Sequence, residues 1–353
     1  MAAPGAARAD TFAPTDLAGI RRHFDDAGYA IVRGVFDAPT LRAAQAGCEA
    51  LVDGLAARLL DEGRIQDALA EAPFDARLAR LCLPACPSAL PNLFRSELHR
   101  PEFFPLLANP TLLDVVSSLM CPDVERVRIY PNYSCRPKTK SKLHSVAWHQ
   151  DAGLRADGGP STAPMEQRLD AFGLGRVVNC WTPLVPATRE NGAMKFVPGS
   201  QKGGILEHQL VGSYEGSTGG GEALPQAADA AAVSGAPQAV PAGTYKTAVR
   251  PDLLAAAVAA AGGEIDVECG PGDVVLFSNI LIHRGGVNTT DKIRWSFDWR
   301  FQDAAKNTYR AERGHVVWSR PTLPGAAREQ SDAEGSRDAQ VHTPEQWAQR
   351  RLD

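Results

Sequence analysis

His149 and Asp151 stand two apart in the stretch Ala147-Trp-His-Gln-Asp-Ala-Gly153. On an extended strand, side chains at i and i+2 leave the same face. An imidazole and a carboxylate would then project together, with Gln150 turned away. One His and one carboxylate are two members of the facial triad that holds non-haem Fe(II) with positions left open. Taken alone, H-x-D is a weak signal, because chance produces it in many chains. The third ligand would be another histidine. His23 falls in a helical segment, His99 in a helix or loop, His208 beside a low-complexity run, and His315 and His342 in the tail. Ordinary surface or capping roles suit all five. His144 is five residues before His149, so strand parity turns it to the other face. His283 differs. It ends a strand that follows the tight turn Gly270-Pro-Gly-Asp273, and Gly285-Gly286 comes next. That context lets a ligand point into a barrel mouth while the backbone bends away.

A second group lies in Arg294-Trp-Ser-Phe-Asp-Trp-Arg-Phe301. Alternation puts Arg294, Ser296, Asp298 and Arg300 on one face and Trp295, Phe297, Trp299 and Phe301 on the other. One reading is a half-exposed strand whose aromatic face packs on helices. The other is that Arg294 and Ser296 face the interior and grip a carboxylate, the guanidinium fork in bidentate fashion and the hydroxyl with a third hydrogen bond. The two are compatible, one per face.

The elements that must position these groups change character along the chain. Residues 16–27 place Leu17, Ile20 and Phe24 on one helical face, and Gly28 can close the helix. A strand over 29–36 and a long helix over 38–61 follow, and Asn109-Pro110 suits the start of a helix running to about Met120. After residue 124, short segments rich in β-branched and aromatic residues are punctuated by Pro, Gly and Asn, which predicts a sandwich, barrel or jelly roll. Residues 216–243 are low complexity without Lys or Arg and read as a flexible insertion, and 251–263 as a short alanine-rich helix.

The whole-chain numbers exclude several classes. With 353 residues, a net charge of −4 and no run of about 18 apolar residues, nothing points to nucleic acid or a bilayer. The N-terminal segment has no apolar core of a secretion signal. Seven irregularly spaced cysteines read as reduced thiols, so a cytoplasmic location is expected.

The ordered motifs resemble the phytanoyl-CoA dioxygenase-like branch of the Fe(II)/2-oxoglutarate oxygenases. Trp148-His-Gln-Asp151 looks like the family's proximal iron motif. The segment 181–204 resembles its W-x-P-L … N-G … PGSH signature, with Gln201 in place of the usual His. A GPGDVVLF run precedes the distal His283, and Arg294 follows it by eleven residues. The resemblance spans roughly 128–301 and implies His149, Asp151 and His283 as iron ligands, with Arg294 and Ser296 as the co-substrate anchor and Trp181 lining that pocket. Where the family often has a hydroxyl two residues after the distal histidine, this chain has Gly285, so one co-substrate contact is lost or replaced. The segment 124–136 reads as one strand, whose parity puts Tyr130, Asn132, Ser134 and Arg136 on one face as candidates for substrate or co-substrate contacts, Asn132 for the co-substrate. Tyr130, Ser134 and Arg136, with Gln150, are candidates for substrate contacts. Arg136, Lys138, Lys140, Arg155 and Arg189 would favour an anionic group, or are simply solvated.

The implied fold is mainly β with flanking α: a double-stranded β-helix (jelly roll, cupin-like) packed against N-terminal helices. The expected organisation is one oxygenase domain over 1–353, with a mostly helical part at 1–123, the core at 124–302, a lid-like insertion at about 203–262 and a C-terminal extension at 303–353. The implied activity is that of a dioxygenase using Fe(II), 2-oxoglutarate and O2 to oxidise an unactivated C–H bond of a small molecule, releasing succinate and CO2. Related halogenases lack the carboxylate ligand, so Asp151 favours hydroxylation. Desaturation, cyclisation and epoxidation use the same ligands. Two other readings remain at this point: a non-catalytic cupin-like binding or sensor protein, and an extradiol-type dioxygenase that uses the triad without an oxoacid.

Overall fold

The structure is a computed structural model and describes residues 10–85, 97–140, 146–153, 165–212, 245–310, 313–321 and 340–350. His144, Lys142, Arg155 and the low-complexity run 216–243 lie outside the described residues. The first third is helical: α1 (Leu17–Ala27), α2 (Ala38–Asp61), α3 (Arg77–Ala85), α4 (Phe104–Leu107) and α5 (Pro110–Leu119), interrupted by β1 (Thr11–Phe12) and β2 (Tyr29–Val32). Local chemistry sets these bounds. The Asp16 carboxylate accepts from the Gly19 amide at 2.9 Å, and Asn109 from Leu112 at 3.2 Å. Gly28 ends α1 in the left-handed region at φ 85°. The last carbonyls of α1, at Asp25 and Asp26, accept from the Gln201 amide at 3.1 and 3.0 Å. Gln201, where the family signature has His, therefore caps a helix.

The strands that follow are β3 (Arg126–Ile129), β4 (Ser134–Lys138), β5 (Val177–Pro183), β6 (Met194–Phe196), β7 (His208–Gly212), β8 (Tyr245–Val249), β9 (Ile265–Val267), β10 (Val274–Ser278), β11 (His283–Gly285), β12 (Arg294–Asp303) and β13 (His315–Ser319). The large sheet runs β1-β2-β10-β5-β12-β3-β13, with β4 also pairing β12. A small sheet runs β11-β6-β9. Neither closes into a barrel. The two pack face to face: Tyr29, Ile31, Trp181, Val275 and Phe277 of the large sheet share one buried cluster with Met194, Phe196 and Val267 of the small one. The opposite face of the large sheet, with Trp295, Phe297, Trp299 and Phe301, packs on Phe24, Cys48, Val52, Leu55 and Val115 of the helices. The fold is thus mainly β with flanking helices, a jelly-roll sandwich. Strand β12 is buried at all ten positions because both of its faces are covered. No described helix is long and apolar enough to cross a membrane.

Three strand expectations need correction. The strand read through 124–136 breaks between Ile129 and Ser134. The Tyr130 amide still donates to the Arg300 carbonyl, and Ser134 opposes Asp298, so β3–β4 spends two more residues than β12 does on that step. Pro131, which has no N–H to give the ladder, sits in this excess. Two extra residues preserve parity, so Ser134 and Arg136 keep the face of Asp298 and Ser296. Asn132 is left in the interruption. The H-x-D stretch is not a strand either. His149 makes one antiparallel bridge with His283, at 3.0 and 2.9 Å, and the chain then turns into a 3-10 turn at Asp151–Gly153. The strand expected over 29–36 stops at Val32, since the chain turns at Gly34 with φ 63°.

The tail contributes a pH-sensitive contact. The His315 ring packs edge-on against His99 and Trp347, with centroids 5.2 and 5.1 Å away. Burial, with His99 adding to it, pushes the His315 pKa down to about 3. The unfolded chain takes up the proton near 6.5, so this histidine costs no stability above that pH. Below it, stability falls by up to about 1.4 kcal/mol per pH unit until about pH 3, where the folded state protonates too. We expect His315→Phe to flatten the loss of urea stability between pH 6.5 and 5 by one histidine's worth; an unchanged slope would refute this.

Candidate metal centre

The bridge between residues 149 and 283 brings two imidazoles to a ring-centroid distance of 4.2 Å. Each Nδ1 lies 2.9 Å from the carbonyl two residues earlier in its own chain, Ala147 for His149 and Leu281 for His283. A carbonyl can only accept, so each Nδ1 carries its proton and each Nε2 is left as a lone-pair donor. Both Nε2 atoms face one oxygen of Asp151: Oδ1 is 3.2 Å from His149 Nε2 and 3.8 Å from His283 Nε2. The other oxygen, Oδ2, is fully occupied. It accepts from Arg300 Nε at 2.9 Å, Arg300 Nη2 at 2.6 Å and Asn179 Nδ2 at 3.1 Å. The carboxylate is thereby rotated so that one oxygen is held and the other presented.

Burial is the largest single influence on Asp151 and opposes its ionisation, but Arg300 and the two imidazoles together outweigh it, and the carboxyl is held well below its usual range. Burial and the neighbouring His149 push His283 down to about 3, so it stays neutral at physiological pH. Metal ligands must be deprotonated to bind, as the Asp151 carboxylate and the His283 imidazole are. The three ligand atoms lie within 4.8 Å of one another, the one such group among the described residues. Ligands about 2.1 Å from a metal and at right angles stand about 3 Å apart. Two imidazoles with Nδ1 tied to carbonyls and Nε2 turned inward, one carboxylate and fixed outer partners fit a catalytic divalent metal.

Arg300 is itself held. Its Nη1 donates to Asp298 Oδ1 at 2.9 Å and to the Asn132 carbonyl at 3.1 Å. Asp298 also accepts from Ser134 at 2.9 Å and pairs with Arg136. Burial would raise its pKa, but Arg136 and Arg300 bring it down to about 2. Six residues along the same face, Arg294 is 3% exposed and has no ion pair with any described carboxylate. Its Nη1 donates to the Gly192 carbonyl at 2.5 Å and its Nη2 to Ser296 at 3.1 Å, and its Nε has no partner. The guanidinium lies over Trp181, 5.0 Å from the ring centre. Gly192 takes φ 86° in the turn after Asn191, which brings its carbonyl to Arg294. Burial, with Arg136 adding to it, lowers the Arg294 pKa to about 10, so the group remains cationic.

A match to the family phytanoyl-CoA dioxygenase (PhyH) covers residues 24–296. The chain belongs to that family. A comparison with curated proteins gives no match. Among solved structures, the apo form of the non-heme monooxygenase ThoJ is 20% identical over 87% of this chain and 85% of its own, with a TM-score of 0.48. EctD from S. alaskensis with 2-oxoglutarate and 5-hydroxyectoine is 18% identical over 81% and 76%, with a TM-score of 0.47. AviO1 from Streptomyces viridochromogenes Tue57 is 19% identical over 83% and 97%, with a TM-score of 0.45.

In this PhyH chain, the residues singled out from sequence fall into three sets. His149, Asp151 and His283 converge, and Arg294, Ser296 and Trp181 meet beside one another on the interior face. Ser134 and Arg136 line that face but are committed to Asp298, Arg136 with half of its side chain exposed. Tyr130 donates to the Thr308 carbonyl at 2.8 Å and accepts from Arg310. Gln150 is fully buried: its amide donates to Gly204 and Ile280 and accepts from Leu206, so the backbone uses all of it. Asn132 offers its carbonyl to Arg300. Lys140 and Arg189 are exposed beside Asp291 and Asp266. Sequence reasoning missed the clamp on Asp151. Alternation had already put Arg300 on the Arg294 face, and Asn179 is two residues from Trp181 on β5, but neither pattern names a partner.

Replacing Arg300 by Met should leave Asp151 and Asp298 buried without their shared cation. We expect a stability loss of about 3–5 kcal/mol and divalent-metal affinity weaker by about 10- to 100-fold, read by urea unfolding and metal titration calorimetry. Wild-type metal affinity in this variant would show that the clamp does not orient Asp151.

Proposed function

We propose that the protein is a 2-oxoglutarate-dependent non-haem iron dioxygenase that hydroxylates an unactivated C–H bond of a small molecule. The observation that carries this reading is a buried, acid-free guanidinium, Arg294, on the same interior face as a His-Asp-His set whose three donor atoms converge. His149, Asp151 and His283 would hold Fe(II). Arg294 and Ser296 would bind the distal carboxylate of 2-oxoglutarate against Trp181. With these groups bound, the chemistry supplied is oxidation of a C–H bond by O2, with succinate and CO2 released. The chain's own contribution is positional. The two Nδ1 contacts fix the imidazole tautomers, and the Arg300–Asn179 clamp fixes the carboxylate. Trp181, Phe196 and Phe277 wall the interior and exclude water.

A carboxylate ligand at 151 favours hydroxylation over halogenation. The base of the insertion is tied to the metal segment: the Val249 backbone N–H donates to the Trp148 carbonyl, and the Gln150 backbone N–H donates to His208 Nε2 at 3.0 Å. This supports a role for the insertion in shaping the mouth. We place the protein in the cytoplasm and its partner among small molecules rather than nucleic acids.

The direct test is anaerobic. Addition of Fe(II) and then 2-oxoglutarate to the apo-protein should produce a weak visible charge-transfer band that needs both. Iron binding without that band would favour the extradiol or sensor reading, and no iron binding would remove the metal reading. Arg294→Ala should raise the 2-oxoglutarate KM about 100-fold, as expected for loss of a charge-assisted contact. An unchanged KM would mean that the oxoacid is anchored elsewhere.

A further inference from the structure

We propose that the substrate is an anionic small molecule with an aromatic body, and that Arg168 and Arg310 bind its oxyanion at the edge of the interior. This deepens the small-molecule reading above and rests on it. The small sheet covers β2, β5 and β10 of the large one. Beyond β12, Tyr130 is met instead by α6 (Met165–Phe172) and by the turn that follows β12. Three rings follow one another along this wall. Tyr130 and Phe172 have centroids 6.0 Å apart, and Phe172 and Tyr309 5.8 Å apart. Phe172 also packs on Ala152, Ile205 and Ile280, so the strip of rings reaches the residue after Asp151. At its outer end Tyr309 is exposed and holds φ 52°, a left-handed backbone that a bulky side chain rarely adopts.

Two arginines flank the rings. Arg168 lies one helical turn before Phe172, on the same face of α6, and its Nη2 donates to the Ala152 carbonyl. Arg310 lies over the Tyr130 ring, 5.6 Å from its centre, and its Nε donates to the Tyr130 hydroxyl at 3.1 Å. Neither meets a carboxylate among the described residues, although the other cations of this wall do: Lys306 pairs with Asp170, and Arg176 with Asp303. Burial lowers the Arg168 pKa, with no described acid to restore it. A guanidinium carries five N–H donors in a fork that matches a carboxylate or a phosphate. Each arginine spends one nitrogen on an uncharged acceptor, so each keeps donors for an oxyanion. An aromatic body would lie along the rings, with its acid group at the arginines and its far end toward the metal segment.

The test is calorimetric titration of 2-naphthoate, 2-naphthyl phosphate and the neutral 2-naphthamide into the full-length protein loaded with Mn(II) and saturating 2-oxoglutarate, so that Arg294 is not open to the probes. At least one anion should bind about 10-fold or more tightly than the amide, and the better of the two identifies the acid group. Arg168→Met and Arg310→Met should each weaken that anion by about 10- to 100-fold and leave amide and 2-oxoglutarate affinity unchanged. Equal binding of anions and amide, no binding of any probe, or wild-type anion affinity in both variants overturns the proposal. Should the protein bind no 2-oxoglutarate, the titrations run without it: an anion preference that still depends on Arg168 and Arg310 keeps this site and removes the oxoacid reading alone. Should either variant lose its cooperative thermal transition, salt carries the test on the wild-type protein. Rising NaCl should weaken the anion and spare the amide; equal responses reject the proposal.

Discussion

The buried ion pair between Asp151 and Arg300 is the constraint on which the site depends. A carboxylate that close to two imidazoles has two oxygens to offer, and without a clamp either could turn inward. Arg300 takes Oδ2 with two of its nitrogens and leaves Oδ1 to the imidazoles. A guanidinium and a carboxylate removed from water carry a desolvation cost of several kcal/mol each. That cost is offset by continuing the alternation of charge. Arg300 also pairs with Asp298, and Asp298 pairs with Arg136, whose side chain reaches solvent. The chain Asp151–Arg300–Asp298–Arg136 thus carries the buried charge outward along one face of the large sheet.

That face belongs mainly to β12, and the same strand anchors the fold on its other side. Trp295, Phe297, Trp299 and Phe301 are essentially fully buried among the N-terminal helices. Aromatic burial of this extent locks the strand in register, since a slip of one residue would send four large rings into the polar interior and two arginines into the helical core. Register in turn fixes which side chains meet: Asp298 against Ser134 and Trp181, Ser296 against Arg136, and Arg294 against Lys138. The helices, by holding β12, thus determine where Arg300 and Arg294 stand. Catalytic geometry held on a strand buried on both faces is more rigid than geometry held on loops.

What could be read from sequence follows the range of the interactions. Helix ends were legible where caps are local: Gly28 and Asn109 act within a turn of their own positions, whereas Asp16, taken into the helix from sequence, is its cap. The two faces of β12 were legible because alternation is local as well. The break at Pro131 was not foreseen, although Pro and Asn in mid-strand were a signal of it. The candidate metal ligands came from the resemblance and from motif order rather than from parity, for residues 149–151 are a bridge and a turn instead of a strand. Gln150 looked available between two ligands. It is taken up by Gly204, Leu206 and Ile280, which are distant in sequence and carry no pattern of their own. Partners of that kind are set by chain topology, and a single sequence does not encode them in any short window.

Arg294 and Arg300 make the same point in electrostatic terms. They share a strand, a face and nearly the same burial, and alternation alone ranks neither above the other. In the fold they are opposites. Burial opposes the charge of each, but two carboxylates drive the Arg300 pKa upward, whereas Arg294 has only a carbonyl and a hydroxyl and falls to about 10. Arg300 is neutralised and belongs to the scaffold. Arg294 is still protonated at physiological pH, and the cost of burying its charge is only partly offset, by two hydrogen bonds and by Asp298 on the same face. An anion that enters beside Trp181 removes that cost in addition to forming its own hydrogen bonds, and because the guanidinium is already positioned, little ordering entropy opposes it. This asymmetry between two equivalent-looking arginines is the physical reason for proposing that one holds the candidate metal ligand and the other an oxoacid.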